Sequence, residues 1–345
     1  MKKICVCGAF RLNDVPRGGQ EIKTCILADA IESRYGKIYR VDTLAPLSRV
    51  RLPFQLLWAM LTCSDILMLP SRNGLIVLSI LLTKLNLIFH RRLHYSVIGG
   101  WLQDFLPNHP AVLQALHHFF GIYVETQTMK DTLLDMGFKN ISVVPNCKPL
   151  DILDESRLTM FYPEPYKFVT FSRVTPKKGI GEAVDIVKSI NKKFNREVCT
   201  LDIYGPIEPG CDSEWFEELK HSFSSSIHYM GNAPFDRSVQ ILSNYFALLF
   251  PTQFYTEGIP GTIIDAFAAG IPVISSRWKS YSDVIQDAVN GYGYEFNNNI
   301  EFQSILEKII VSPELIISLK KNCLGCAERY LPENAINLIQ FSNNI

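Results

Sequence analysis

The chain has 345 residues, 47% of them apolar, and its 34 basic and 34 acidic residues give a formal net charge of zero. This length predicts two domains, and the charge balance argues against a basic surface that grips nucleic acid. The 9 scattered cysteines include a single C-x-x-C pair, which is poor evidence for zinc. They are therefore expected to be reduced core thiols of a cytoplasmic protein.

The first part of the chain predicts a parallel α/β domain. Strand-like runs occur at 4–9, 37–41, 65–69, 93–98, 122–125 and 142–144, with helices at 20–35 and 129–137 between them. Several runs are almost continuously apolar, as in a sheet that is covered on both faces. The most hydrophobic segment, 74–89, is shorter than the ~20 residues of a membrane span and contains Lys84. It is predicted to be a buried helix.

A cluster of prolines separates this series from the next. Pro145, Pro149, Pro163 and Pro165 bracket the polar stretch 151–157, which predicts an interdomain connection. We expect one domain at 1–160, joined by a carboxyl-terminal helix at 330–345, and a second domain at 161–329.

The second series repeats the alternation. Strands are predicted at 168–172, 198–204, 227–230, 247–250 and 272–275, and helices at 215–223, 236–243 and 262–269. Ile180, Ala183, Val184 and Val187 follow the spacing of an amphipathic helix. Two such series predict two Rossmann-like, doubly wound domains. Ligands of these sheets bind beyond the carboxyl ends of the strands, so an active site is expected in a cleft between the two domains.

Two segments that follow strands could bind phosphate. Gly18 and Gly19 lie between the first strand and the first helix, where backbone N–H groups favour an anion. A simple turn explains them equally well. Arg173 and Lys178 follow the strand at 168–172, and their charges could neutralise a diphosphate. The alternative for this segment is a solvated loop.

A third segment, 257–274, combines two carboxylates with a glycine-rich turn and a helix start. Glu257 and Asp265 can accept hydroxyl hydrogens from a sugar or a ribose, and the turn between them offers N–H groups to an anion. Asp265 also has a simpler explanation, because Thr262 and Asp265 fit the capping-box pattern.

Several well-known motifs are absent from the sequence. It contains no G-x-G-x-x-G, Walker A, H-E-x-x-H or G-x-S-x-G pattern, which argues against dehydrogenase, P-loop kinase, zinc protease and serine hydrolase chemistry. The seven histidines do not show a metal-ligand spacing.

In this order the three segments resemble the retaining nucleotide-sugar glycosyltransferases of family 4, which have the GT-B fold. The stretch 126–146, ending in Val-Val-Pro-Asn, is similar to the family's segment before the linker. Ser172-Arg173 and Lys178-Gly179 resemble its "GR…KG" segment. Glu257 and Asp265 resemble its E-x7-E motif, with an aspartate that is one methylene shorter.

The resemblance implies roles for individual residues. Arg173 and Lys178 would hold the donor diphosphate, Glu257 the sugar hydroxyls and Asp265 the ribose. Other donor contacts would come from Gly18 and Gly19, from the backbone of Gly258, Ile259, Gly261 and Thr262, and from the loop of Met230 and Gly231 near the base. Asp104 would replace the usual histidine of the amino-terminal domain, so the catalytic set is Glu257, Arg173, Lys178 and Asp104.

The reaction implied is transfer of a sugar from a UDP-sugar to a saccharide acceptor with retention of configuration, without metal or cofactor, in surface polysaccharide biosynthesis. A nucleotide-sugar epimerase and a non-catalytic partner subunit that binds a sugar nucleotide are the alternatives. The apolar segment 54–61, flanked by Arg49 and Arg51, could lie on an anionic membrane, which suggests a lipid-linked acceptor at the inner face of the cell membrane. The same segment could equally be a core helix.

Overall fold

The computed structural model describes residues 3–10, 19–45 and 48–342, without the side chains of residues 48 and 49. These residues form two compact units. The first contains the described residues up to Pro149 and those from Arg329 onward, and the second contains Leu150–Glu328.

The first unit is built on a six-stranded parallel sheet. Its strands are β1 (Ile4–Gly8), β2 (Tyr39–Asp42), β3 (Asp65–Leu69), β4 (Arg92–Ser96), β5 (Gly121–Val124) and β6 (Ile141–Val143), in the order β2-β1-β3-β4-β5-β6. Cys5 and Cys7 face one hydrophobic core, and Ile4 and Val6 face another. Both faces of β1 are therefore covered, which explains its continuous apolar run.

Helices cover both faces of this sheet. They are α1 (Gly19–Tyr35), α2 (Ser48–Thr62), α3 (Arg72–Phe89), α4 (Leu102–Phe105), α5 (Pro110–His117) and α6 (Gln127–Asp135). One described helix, α3, is long and apolar enough to cross a membrane by length and composition alone. It was expected to be buried, but only Leu75, Leu78, Ser79 and Leu82 are, and its other side is open to solvent.

The second unit has its own six-stranded parallel sheet. Its strands are β7 (Tyr166–Phe171), β8 (Cys199–Tyr204), β9 (Ile227–Gly231), β10 (Ala247–Phe250), β11 (Val273–Ser276) and β12 (Gly291–Tyr294), in the order β12-β11-β10-β7-β8-β9. The helices are α7 (Ile180–Phe194), α8 (Cys211–Lys220), α9 (Ser238–Leu242), α10 (Gly261–Ala268), α11 (Asn299–Val311), α12 (Glu314–Ile317) and α13 (Lys320–Ala327). The α/β class expected from the sequence is confirmed in both units.

The connection between the units differs from the expected boundary at 160. Leu153 donates its backbone N–H to the carbonyl of Ala268 at 2.9 Å. A side chain on Gly270, whose φ is +66°, would collide with Leu158 at 2.3 Å. Residues 150–160 therefore pack on the second unit, and the first unit ends at Pro149.

The end of the chain returns to the first unit through α14 (Pro332–Asn337), whose Ala335 and Ile336 pack in the same core as Leu27 of α1. A buried polar network then fixes the last described residue. His94 contacts Asp65 at 3.1 Å and Tyr123 at 2.9 Å, and the backbone N–H of Ser342 donates to Asp65 at 3.1 Å.

This network makes stability depend on pH through Asp65. Burial raises the pKa of its carboxyl, but hydrogen bonds from His94, Ser342 and Ser64 outweigh burial and lower the pKa to about 2. A folded-state pKa below that of the unfolded chain stabilises the fold at neutral pH. This contribution, about 2 kcal/mol, falls to about half at pH 3.

We therefore expect Asp65→Asn to lower the free energy of unfolding at pH 7 and to have a smaller effect at pH 3. Urea unfolding at the two pH values measures the difference. The exposed Asp185 on α7 provides the control, since Asp185→Asn should change stability little at either pH. An equal effect of Asp65→Asn at pH 7 and pH 3 would contradict the assignment.

Candidate active site

The most specific arrangement in the second unit is an ion pair between Lys178 and Glu257. Lys178 ends a short 3₁₀ turn after β7, and Glu257 lies in the loop between β10 and α10. Lys178 Nζ contacts Glu257 Oε1, and the side chains are only 14% and 17% exposed. Because β7 and β10 are neighbours, their carboxyl ends bring together residues that are distant in sequence.

Local backbone geometry holds this pair in place. Gly179 has a φ of +70°, and a Cβ there would lie 1.9 Å from the carbonyl oxygen of Pro251. Only glycine allows the Lys178 turn to approach the end of β10 so closely. Thr252 donates its hydroxyl to Glu257 Oε1 at 3.2 Å, and Lys178 Nζ lies 5.1 Å from the ring centroid of Phe254. Thr252 and Phe254 have no recognisable signal in the sequence.

Helix α10 begins beside this loop. Pro260 precedes it without a side-chain cap, so the helix start has backbone N–H groups directed toward its amino-terminal end. Gly258 and Ile259 are buried, whereas Gly261 and Thr262 are partly exposed. Among the described residues, the buried hydroxyl of Thr262 has no hydrogen-bond partner. A helix start with spare donors suits an anion.

Asp265 lies inside α10, so the capping explanation for it is wrong. The helix begins at Gly261, which puts Thr262 and Asp265 within its first two turns instead of at the N-cap and N3 positions. Asp265 is 4% exposed, and its Oδ1 accepts a hydrogen bond from the Ser238 hydroxyl at 3.0 Å. Ser238, at the start of α9, was not expected from the sequence.

Arg173 has a different partner from the Lys178–Glu257 pair. Its Nη1 contacts Glu208 Oε1 at 3.0 Å, and both side chains are more than half exposed. An exposed pair of this kind contributes little to stability, so a ligand could displace Glu208 at small cost. Gly205 brings the two loops together, because a Cβ there would lie 1.7 Å from the carbonyl oxygen of Ser172.

The residues expected to lie in a loop near a nucleotide base, Met230 and Gly231, are the last two residues of β9. Met230 is 48% exposed, and Gly231 has a φ of +78°. The carbonyl of Gly231 accepts the N–H of Gly205 at 2.9 Å, which ties the end of β9 to the end of β8. Phe235, which was not predicted from the sequence, is also exposed, and its carbonyl oxygen lies 3.4 Å from the hydroxyl of Ser238.

In the first unit, Gly18 lies outside the described residues, and Gly19 begins α1. Asp104 is exposed on the short helix α4. A buried ion pair that was not predicted from the sequence also lies in this unit, where Lys23 Nζ is 2.5 Å from Glu125 Oε1. Glu125 also accepts the N–H of Gly99 at 3.2 Å, so this pair supports the loop that precedes α4.

No group of three or more His, Cys, Asp or Glu side chains in the described part of the chain could hold a metal ion. The positive charge near Glu257 comes from Lys178, a lysine of the second unit.

Comparison with known proteins identifies the second unit. Residues 154–323 match the model of the family described as glycosyl transferases group 1. The second unit is a group 1 glycosyltransferase domain. This match confirms the resemblance to family 4 glycosyltransferases that the motifs indicated, as far as membership of a glycosyltransferase family is concerned.

The curated relatives of the chain are distant. The amylovoran biosynthesis glycosyltransferase AmsK of Erwinia amylovora is 24% identical over 138 residues, which are 37% of this chain and 32% of AmsK. A Campylobacter jejuni N,N'-diacetylbacillosaminyl-diphospho-undecaprenol alpha-1,3-N-acetylgalactosaminyltransferase is 23% identical over 222 residues, 64% of this chain and 49% of that protein. The matched regions thus span about half of these relatives or less.

Solved structures resemble the whole chain. Anabaena Alr3699/HepE in complex with UDP has a TM-score of 0.75 at 14% identity, over 98% of both chains. Sucrose-phosphate synthase from Thermosynechococcus elongatus has a TM-score of 0.74 at 13% identity, over 98% of this chain and 97% of that one. At this identity the likeness shows the fold, and the two parallel six-stranded sheets are those of the GT-B fold.

Proposed function

We propose that the protein transfers a sugar from a UDP-sugar to a saccharide acceptor, with retention of the anomeric configuration and without a metal ion. The Lys178–Glu257 pair beside the start of α10 is the observation that carries this proposal. A nucleotide-sugar has both a diphosphate and hydroxyl groups, and this pair with the helix start offers a partner to each.

Donor binding would redistribute the partners of the two side chains. The diphosphate would take Lys178 and Arg173 as counter-charges, assisted by the N–H groups at the start of α10. Glu257 would then accept hydroxyl hydrogens of the donor sugar. Asp265, oriented by the Ser238 hydroxyl, would accept those of the ribose, and the loop of Met230 and Gly231 would lie beside the base.

The transfer step needs little covalent chemistry from the protein. The acceptor oxygen forms a bond to the anomeric carbon while the bond from that carbon to the diphosphate oxygen breaks. The acceptor proton passes to the departing diphosphate, whose growing charge is stabilised by Lys178 and Arg173. Asp104 is proposed as the carboxylate of the first unit that orients the acceptor.

Relatives support a role in surface polysaccharide assembly. AmsK is named for amylovoran biosynthesis, and the Campylobacter relative for an undecaprenol-linked acceptor. HepE is described in complex with UDP, UDP-glucose, and UDP with glucose. We therefore propose a lipid-linked saccharide acceptor and peripheral association with the inner face of the cell membrane.

A donor screen tests the proposal. UDP-sugars should raise the melting temperature more than GDP-sugars do, since a ligand at 100 times its Kd stabilises the fold by about 2.7 kcal/mol. Incubation with the stabilising donor and a lipid-linked acceptor extract should yield a product with the donor's anomeric configuration, measured by NMR, in the presence of EDTA.

Other outcomes would contradict the proposal in distinct ways. Stabilisation by UDP-sugars without transfer to any acceptor extract would support a non-catalytic partner subunit. Conversion of the UDP-sugar to an isomer without acceptor would support an epimerase. A product of inverted configuration would refute retention, and loss of transfer in EDTA would refute metal independence.

A further inference from the structure

Helix α2 is apolar on two sides. Its inner side packs in the core of the first unit, where Leu56, Ala59 and Met60 have no exposed surface. The opposite side carries five large apolar side chains that are 41–72% exposed, namely Val50, Phe54, Leu57, Trp58 and Leu61. Their spacing of four, three, one and three residues puts them on one stripe of the helix. The core-helix interpretation of segment 54–61 is therefore correct for one side of α2, and the other side is exposed.

The end of α3 extends this apolar stripe. Leu87 and Ile88 near the end of α3 are each 74% exposed. Arg91, two residues beyond α3, donates from Nε to the carbonyl of Met60 at 2.8 Å, so the carboxyl-terminal ends of α2 and α3 are joined. The five exposed residues of α2 together with Leu87 and Ile88 are called the α2–α3 face from here on.

The α2–α3 face belongs to the folded unit and cannot belong to a membrane span. Helix α3 connects β3 to β4, which are hydrogen-bonded neighbours in the sheet, and its Leu75, Leu78 and Leu82 are buried in the core. Inserting α3 across a bilayer would disrupt the pairing of β3 with β4 and the packing of these leucines in the core. A membrane could therefore contact only the outer side of the helices.

The charged side chains of α2 and α3 all have the same sign. Between Asp42 and Asp104 the sequence has one carboxylate, Asp65, which is buried against His94. Arg51, Arg72 and Lys84 on the two helices are exposed. The chain as a whole has no net charge, so this basic surface results from segregation of the acidic residues to other parts of the chain.

We propose that the α2–α3 face binds the surface of an anionic phospholipid membrane, with Phe54 and Trp58 inserted among the lipids. Exposed aromatic and aliphatic side chains next to basic ones are the composition of an interfacial helix, and each lysine or arginine near such a surface strengthens its binding to anionic lipid. Binding of a second copy of this chain to the α2–α3 face is disfavoured, because a symmetric contact would put two basic surfaces together. The inference deepens the proposed function, since a lipid-linked acceptor is presented at a membrane.

Sedimentation with vesicles tests this binding. The full chain should pellet with vesicles of phosphatidylglycerol and phosphatidylcholine, should bind pure phosphatidylcholine much less, and should dissociate as salt increases. Brominated lipids should quench the fluorescence of Trp58, and Trp58→Phe should remove that quenching. Trp58→Phe also keeps an aromatic ring at this position, so binding itself should persist.

Paired variants separate the apolar and the electrostatic contributions. Phe54→Ser with Trp58→Ser should weaken binding by roughly ten- to hundredfold. Phe161→Ser with Ile300→Ser, which changes two exposed apolar residues of the second unit, should leave binding unchanged.

The electrostatic contribution is tested by charge reversal. Arg51→Glu with Lys84→Glu should weaken binding by about tenfold or more. The exposed Lys37 and Lys139 give the matched charge control, Lys37→Glu with Lys139→Glu.

Three results would overturn the inference. These are absence of binding to anionic vesicles, equal binding to neutral ones, and equal loss of binding in the matched controls. A dimer that Phe54→Ser dissociates would show instead that a second copy covers the face. Stabilisation by UDP-sugars in solution is measured without lipid, so failure of the membrane inference and failure of the proposed donor are distinguishable.

Discussion

Replacement of Lys178 by alanine is expected to lower turnover by about 10²–10³-fold, the usual effect of losing one electrostatic contact to the transition state. Lys178 Nζ is held against Glu257 with 14% of the side chain exposed, so its charge acts where water is largely excluded. The effect should appear mainly in kcat, since charge on the diphosphate grows as the sugar leaves.

Lys177 provides the matched control for this variant. It is the preceding residue on the same turn, carries the same charge and is exposed. Lys177→Ala should keep turnover near that of the wild type. Steady-state kinetics with the donor that the thermal-shift screen identifies measure both variants, and circular dichroism checks that they fold. Near-normal turnover in a folded Lys178→Ala protein would refute the assignment.

Replacement of Glu257 by alanine should lower kcat/KM for the donor by a similar factor of about 10²–10³. This change removes the acceptor for the sugar hydroxyls and leaves the Lys178 charge without its partner. Glu257→Gln keeps the size and one acceptor oxygen, so we expect an intermediate loss. Glu214→Ala, at an exposed carboxylate on α8, serves as the control with unchanged kinetics.

The double variant tests whether Lys178 and Glu257 act as one unit. Residues in direct contact give non-additive effects, so Lys178→Ala with Glu257→Ala should be little worse than either single change. Losses that multiply would show that the two side chains act independently, which would contradict a shared site for the donor.

Local sequence pattern predicted most of the fold. The buried runs of β3, β8 and β10 and the amphipathic repeat of α7 are short-range features, and each predicted its element. Strand β12 (Gly291–Tyr294) was missed, because two glycines among four residues give it a low strand propensity. The chain connection was placed too late, because its packing on Ala268 and Gly270 is invisible in local composition.

The candidate site shows the same division. The motif predicted Lys178 and Glu257 as members of one site, and the structure places them in contact. It could not predict Thr252 or Ser238 as partners, since serine and threonine are common in loops and carry no periodic signal. The capping explanation of Asp265 failed because the helix begins one residue before Thr262, which only the tertiary structure decides.

The sequence by itself determined two α/β series and the order of the segments that are candidates for binding phosphate and hydroxyl groups, because both depend on residues close together in the chain. Tertiary structure decided which distant groups meet. Lys178 and Glu257 are 79 residues apart, and Asp65 and Ser342 are 277 apart. It also decided which side of α2 is exposed, since helical periodicity cannot choose between two apolar sides until one of them packs against a sheet.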